Sequence, residues 1–297
     1  SSVYGTHPAR HRANARASLG RFQIGLRRIL HGPHHKGQVS VISPLASIHP
    51  EAKLAGNITV EAFAVIEADV EIGEGSWIAS GASILSGTRM GKNCRVFHGA
   101  VVGGIPQDLK FEGEYSQVIL GDGCTIRECA TINRGTKALG KTVLGRECLV
   151  MAYAHVAHDC QIGDHVILVN NVALAGHVEI GDWSIIGGLS AVHQFVKIGA
   201  HVMVGGGSLV RKDVPPFITV AREPLSYEGV NALGLRRRGF KNARIEEIHH
   251  AYRLVYQSGF NTSQAISQIE LEVPESPERS EILRFLLASD RGIVKNA

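Results

Sequence analysis

The stretch Leu144-Gly-Arg-Glu-Cys-Leu-Val150-Met-Ala-Tyr-Ala-His-Val156-Ala-His-Asp-Cys-Gln-Ile162 places an aliphatic residue at every sixth position. The same step runs onward through Leu168, Leu174, Ile180, Ile186, Val192, Ile198 and Val204 to Val210. Upstream it reappears at Leu120, Ile126 and Ile132. Earlier still it covers Ile42, Ile48, Leu54, Val60, Ile66, Ile72, Ile78, Ile84, Met90, Val96 and Val102. Twenty-six hexads of this regularity are not chance. A period of six suits neither a 3.6-residue helix nor an isolated hairpin, but it suits short flat strands joined by tight corners and stacked as a solenoid.

Counting the aliphatic residue as position one, position two is often glycine (Gly73, Gly91, Gly121, Gly145, Gly163, Gly181, Gly199). Glycine's freedom in φ is the expected reason. Position five is usually small, and Cys94, Cys124, Cys148 and Cys160 occupy it, which predicts buried packing thiols rather than disulfides. The five cysteines include no C-x-x-C pair and no zinc-module spacing.

The composition fits a folded protein: of 297 residues, 44% are apolar, and no run of about 18 apolar residues offers a membrane span. The net charge of +4 is uneven, because residues 1–50 hold seven cations and no carboxylate, leaving the remainder at −3. A slightly acidic body argues against nucleic acid as a partner. The basic leader over residues 1–40, rich in Arg, Ser, Ala and His, reads as an organellar transit peptide. Arg outweighs Ser and Thr there, so mitochondrion is expected ahead of plastid.

The repeat region spans 41–216, with insertions near 103–117 and 133–142 that should project as loops and carry function. After Pro215 and Pro216 the pattern stops, and 222–297 reads as a helical C-terminal domain. Ile245, Ile248, Ala251, Tyr252 and Val255 form one apolar stripe, and Ser276-Pro277 is a helix-start pair.

One vertical edge of the solenoid is predicted to be chemically distinctive. Adding one coil of 18 residues to His158 reaches Gly176, and a second reaches Gln194, with Asp159, His177 and His193 alongside. Layers are about 4.8 Å apart, so these groups stack. A lone corner histidine is ordinarily just solvated, whereas three consecutive coils of such residues suggest a site. His155 with His158, or His193 with His201, could be metal ligands, but Gly176 and Gln194 are better companions for a polar substrate.

The repeat resembles that of the hexapeptide acyltransferases. Six ordered motifs narrow this: Gln107-Asp-Leu-Lys110, His155-Val-Ala-His-Asp-Cys160, Leu174-Ala-Gly-His-Val178, Ala191-Val-His-Gln-Phe195, His201-Val-Met-Val-Gly-Gly206 and Gly234-Leu-Arg-Arg-Arg-Gly-Phe240. Together, from about residue 40 to the C-terminus, they resemble the UDP-N-acetylglucosamine 3-O-acyltransferases, which catalyse the first step of lipid A biosynthesis. With the leader, a plant organellar member is implied.

The resemblance implies a left-handed parallel β-helix with a C-terminal α-helical domain, a homotrimer with active sites between subunits, and no cofactor or metal. A 3-hydroxyacyl group, 3-hydroxymyristoyl being expected, would pass from acyl carrier protein to UDP-N-acetylglucosamine. His158 would be the general base, Asp159 its support, and the Gly176 N–H the oxyanion donor. Asp108, Lys110, His155, His177, His193 and Gln194 would contact substrate. Asn231, Arg237 and Arg238 would hold the nucleotide, and Gly206 would set acyl length. Two departures stand out: Asn133 replaces a common His, and Leu233 a nucleotide-contacting Glu.

Three other readings compete with this one. The N-acyltransferase of the same pathway would need an N-terminal uridine-binding domain, for which residues 1–40 are too short and too basic. A metal hydratase of the γ-carbonic anhydrase type would require bound zinc. A catalytically silent solenoid that scaffolds a complex is the third.

Overall fold

The computed structural model of the chain describes residues 40–296; all but the last residue of the expected leader lies outside them. Each of the twenty-six hexads forms a short strand that contains its aliphatic residue. Successive strands turn a corner rather than pairing with each other. Each strand therefore pairs in parallel with the one a coil away, as Val156 does with Ile132 and Leu174. The result is a left-handed parallel β-helix with three sheets of 12, 9 and 8 strands. The first starts at Val41–Ile42, the second at Ser47–Ile48 and the third at Lys53–Leu54.

The aliphatic ladder fills the interior. From Val60 to Val210 its members are buried, each worth about 1.5–3 kcal/mol relative to an exposed side chain. Ile42, Ile48 and Leu54 in the first coil are exposed or half-buried, because no coil precedes theirs within the described residues. Cys94, Cys124, Cys148 and Cys160 are buried free thiols, and Cys129 is exposed. Each buried thiol donates to a carbonyl of the next coil, Cys124 to Gly145 at 3.0 Å and Cys160 to Ala175 at 3.2 Å.

The reason expected for the position-two glycines is corrected. None has a positive φ; the left-handed residue stands at position four, as Gly75, Asn93, Gly123, Glu147, Asp159 and His177 show. Position two is glycine because the coils touch there. A Cβ on Gly73 would lie 2.5 Å from the Gly91 carbonyl carbon, and one on Gly121 would lie 2.7 Å from that of Gly145.

The strand pattern outlasts the hexads. Ile218–Ala221 continues the first sheet in parallel with Met203–Val204, and Ser226–Val230 returns antiparallel. Residues beyond 222 are therefore not helical at once. This β-rich hairpin covers the sheet's open edge, and Lys295–Asn296 pairs outside it. Four helices fill the interval: α1 (Ala232–Arg237), α2 (Asn242–Tyr256), α3 (Thr262–Glu272) and α4 (Pro277–Leu287). In α2, Ile245, Ile248, Ala251 and Tyr252 are buried as the stripe predicts, with Leu254 rather than Val255 completing it. The Tyr252 hydroxyl donates to the Pro216 carbonyl at 2.6 Å and ties the helices to the end of the solenoid. Ser276 caps α4 by accepting from the Arg279 N–H.

These two kinds of corner position respond differently to substitution. Gly73→Ala forces two coils apart and should cost about 1–3 kcal/mol. Gly81→Asn, at φ 72° with open space around its Cβ, should be nearly neutral, since Asn tolerates that conformation. Denaturant unfolding of the two variants checks the ranking.

Candidate active site

Strands of the second sheet lead to the third through corners 157–160, 175–178 and 193–196, so His158, Gly176 and Gln194 do share one edge. Both insertions leave from the same edge. Residues 105–116 separate Val101–Gly104 from Gln117–Leu120, and residues 134–140 separate Thr131–Asn133 from Lys141–Leu144; in each case a second-sheet strand precedes a third-sheet strand. Five consecutive coils thus bring two insertions and three histidine-bearing corners into one column.

Asp159 is the buried centre of this column. Its φ of 60° turns its side chain back toward its neighbour, and its Oδ2 lies 2.8 Å from His158 Nδ1. Consecutive residues on an extended strand could not meet in this way. The second insertion completes the cage. The Thr136 hydroxyl donates to Oδ2 at 2.7 Å, and the N–H groups of Thr136 and Leu139 donate to Oδ1 at 3.0 and 3.3 Å. The Asp159 N–H in turn donates to Thr142 Oγ1 at 2.8 Å. Every partner of the carboxylate is a donor. An anion there requires the proton of His158 on Nδ1, which leaves Nε2 with a free lone pair.

The ring of His158 lies over Gly176, where a Cβ would come within 2.7 Å of Nε2. Glycine at 176 is therefore a requirement of space. Its N–H has no acceptor among the described residues and is available to a ligand oxygen. His177 meets His158 edge to face at 5.2 Å and stacks on Phe195 at 4.5 Å. Burial lowers the His177 pKa, against an upward pull from Asp159 and, more weakly, from Asp108 of the first insertion. His155, hydrogen-bonded to Thr131 Oγ1 at 2.7 Å, is likewise pushed down by burial and by His158. His193 and Gln194 are exposed one coil further on, and Arg291 reaches His193 Nδ1 at 3.0 Å.

His158, Asp159 and His177 are the one trio of candidate metal donors among the described residues. The chemistry of the set does not suit a cation. Asp159 Oδ2 already receives the Thr136 hydroxyl and the His158 Nδ1–H, so the carboxylate is committed to hydrogen bonds.

Other predicted residues lie elsewhere. Lys110 is exposed on the first insertion, and Asp108 accepts its backbone N–H at 3.0 Å. Gly206 sits at a corner between the first and second sheets, a different edge of the prism. Asn231 caps α1 by accepting from the Gly234 N–H, and its Nδ2 donates to the His201 carbonyl at 2.9 Å. Arg238 donates to the Trp183 carbonyl at 2.6 Å and covers that indole ring, on the edge between the third and first sheets. Arg237 and Leu233 are exposed on α1. A single chain thus spreads these residues over three edges. Asn133 is buried, and its Nδ2 donates to the Ile105 carbonyl at 2.7 Å, pinning the root of the first insertion. Sequence reading missed Thr136, Thr142 and Phe195. Thr136 lies inside an insertion 23 residues before Asp159, where no periodicity signals the contact.

Comparison with known proteins agrees with this architecture. A family model described as Udp N-acetylglucosamine O-acyltransferase, Domain 2, matches residues 213–294, and one for the bacterial transferase hexapeptide (six repeats) matches residues 141–176. The chain is 42% identical over 255 residues to the acyl-(acyl-carrier-protein)-UDP-N-acetylglucosamine O-acyltransferase of Thermodesulfovibrio yellowstonii, covering 86% of this chain and 99% of that one. Among solved structures, the UDP-N-acetylglucosamine acyltransferase of Bacteroides fragilis is 49% identical with a TM-score of 0.84, covering 86% of this chain and all of the other. The Arabidopsis UDP-N-acetylglucosamine acyltransferase is 31% identical with a TM-score of 0.73 at the same coverage.

His201 gives this region a pH dependence. Its ring lies 5.5 Å from Phe217 and 5.2 Å from Phe240, and burial together with Arg238 pushes its pKa from 6.5 down to about 4. The folded state keeps it neutral where the unfolded chain would protonate it. Its contribution to stability is complete above pH 6.5 and is lost as the pH falls toward 4. Thermal melts across that interval should show the decline, and His201→Asn should flatten it.

Proposed function

The chain belongs to the acyl-(acyl-carrier-protein)-UDP-N-acetylglucosamine O-acyltransferase family, and we propose that its histidine-lined edge carries the transfer. The enzyme moves a 3-hydroxyacyl group from acyl carrier protein to the 3-hydroxyl of UDP-N-acetylglucosamine, the first step of lipid A-type biosynthesis. The observation that carries the assignment of the base is His158, held through Nδ1 by a buried carboxylate with Nε2 open over Gly176.

A sugar hydroxyl is a weak acid, so the chemical burden is removal of its proton during attack. His158 Nε2 takes that proton as the hydroxyl oxygen bonds to the thioester carbon. The Gly176 N–H stabilises the oxyanion, the carbon–sulfur bond breaks, and the imidazolium returns the proton to the leaving thiolate. Cys160 is no nucleophile, because it is fully buried and its thiol pKa is raised to about 12, chiefly by that burial. Transfer is therefore direct, without an acyl-enzyme.

Substrate contacts are assigned to Asp108, Lys110, His155, His177, His193 and Gln194 around the base. Asn231, Arg237 and Arg238 serve the nucleotide, where guanidinium groups suit phosphate oxygens. Gly206 leaves room for a long chain such as 3-hydroxymyristoyl. These groups occupy different edges of one prism, which supports a homotrimer whose sites combine edges of neighbouring subunits. The basic leader supports mitochondrial import, with plastid second; a fluorescent fusion of residues 1–40 that stays outside both organelles would reject that address.

His158→Ala, assayed with UDP-N-acetylglucosamine and 3-hydroxyacyl carrier protein, should lose about 10²–10⁴-fold in kcat while remaining folded. Full retention of activity would remove His158 from the role. Coexpression of His158→Ala with Arg237→Ala should restore activity in mixed trimers if sites are shared between subunits. The activity should survive chelators, and stoichiometric zinc with bicarbonate formation would favour a hydratase instead.

A further inference from the structure

We infer that Thr136, a residue that touches no reacting atom, is a positioning residue for the general base, and that the second insertion exists at this corner to hold it. The inference rests on the reading of His158 as base. Thr136 is buried and reaches Asp159 through two separate groups. Its hydroxyl donates to Oδ2 at 2.7 Å, and its N–H lies 3.0 Å from Oδ1 and 3.2 Å from Oδ2. His158 Nδ1 contacts the same Oδ2. The threonine hydroxyl and the imidazole thus share one carboxylate oxygen, and moving one disturbs the other.

The surroundings of Thr136 leave it little freedom. Its carbonyl accepts from Gly140 N–H at 2.7 Å, closing the insertion on itself, and its Oγ1 accepts from Ala138 N–H at 3.2 Å while donating to Asp159. Gly135 lies so close to the Lys141 backbone that a Cβ there would collide with it, so the neck of the loop is as narrow as the backbone allows. The Gly135 N–H donates to the Gln117 carbonyl, and the Arg134 N–H donates to the Gly104 carbonyl at 2.9 Å, fixing the neck to the strands that flank the first insertion. The loop is braced from outside as well, where Glu114 Oε1 accepts the Lys137 N–H at 2.9 Å. A regular corner, such as residues 157–160, spans only four residues between strands and carries no such loop. The insertion supplies Thr136.

Without the hydroxyl, Asp159 loses the donor that shares Oδ2 with His158 Nδ1, and the carboxylate is free to shift. The His158 ring is then less firmly aimed. Thr136→Val should lower kcat roughly 10- to 100-fold, a loss of the kind that follows misplacement of a reacting group. KM for UDP-N-acetylglucosamine should stay the same, because Thr136 contacts no substrate. Thr136→Ser, which keeps the hydroxyl, should restore the rate.

The test compares kcat and KM of wild type, Thr136→Val, Thr136→Ser and His158→Ala, with thermal melts to confirm folding. If Val does not fold, Thr136→Ala removes the same hydroxyl and carries the same expectation. Wild-type kcat in the folded Val or Ala variant would overturn the inference. So would a loss carried by KM rather than kcat, or a failure of Thr136→Ser to restore the rate, since the role assigned to Thr136 depends on its hydroxyl. If His158→Ala remains active, the base assignment itself fails; if it is inactive while Thr136→Val is normal, only the role of Thr136 fails.

Discussion

The coil-to-coil spacing of the β-helix governs everything else in this molecule. Adjacent coils approach to within about 4.8 Å, the ordinary strand separation, at every position of the repeat. At position one this distance lets aliphatic side chains stack into a continuous core. At position two it leaves no room for a Cβ, and glycine follows. At position four the backbone passes through a left-handed conformation at most corners in order to turn. Asn93 adopts it with little cost, whereas Glu147, Tyr153, Trp183, Leu189 and Phe195 adopt it although it is unfavourable for them. The ladder of backbone hydrogen bonds and the buried core sustain that expense at corner after corner.

The same constraint makes a corner useful for chemistry. A left-handed residue points its side chain back across the turn, and Asp159 uses this to meet His158, its own sequence neighbour. The buried carboxylate then needs donors that a regular corner lacks, and the second insertion provides them from Thr136 and Leu139. Gly176 and His177, one coil later, are set at van der Waals distance by the stacking itself. A rigid scaffold with one fixed repeat distance thus holds the base and an oxyanion donor in register. Rigid placement of this kind is what preorganised electrostatic catalysis requires.

The C-terminal region solves a separate problem. A solenoid ends in an open sheet edge, and the hairpin of Ile218–Ala221 and Ser226–Val230 covers it before the helices begin. Tyr252 fastens α2 to Pro216, and Asn231 and Arg238 fasten α1 to the edge carrying His201 and Trp183. The basic cluster at the start of the helical region is therefore held in a defined place.

Periodicity made most of the fold legible. Hexads from Ile42 to Val210 mark strands, position-five cysteines mark the interior, and counting coils of 18 aligns His158, Gly176 and Gln194, because a repeat of fixed length converts sequence separation into spatial register. The helical stripe and the Ser276 cap were legible for the same reason: they are local. The sequence alone could not reveal why position two is glycine, since that is a contact between coils rather than a property of the turn. Nor could it show that both insertions share the histidine edge or that Thr136 grips Asp159, because an irregular loop follows no period. The β-hairpin after Pro216 was missed because it repeats nothing. Sequence by itself thus determined the repeat, the core and the stacked histidines; tertiary structure alone decided how the buried carboxylate is satisfied, because its partners come from a segment whose path is set by close packing.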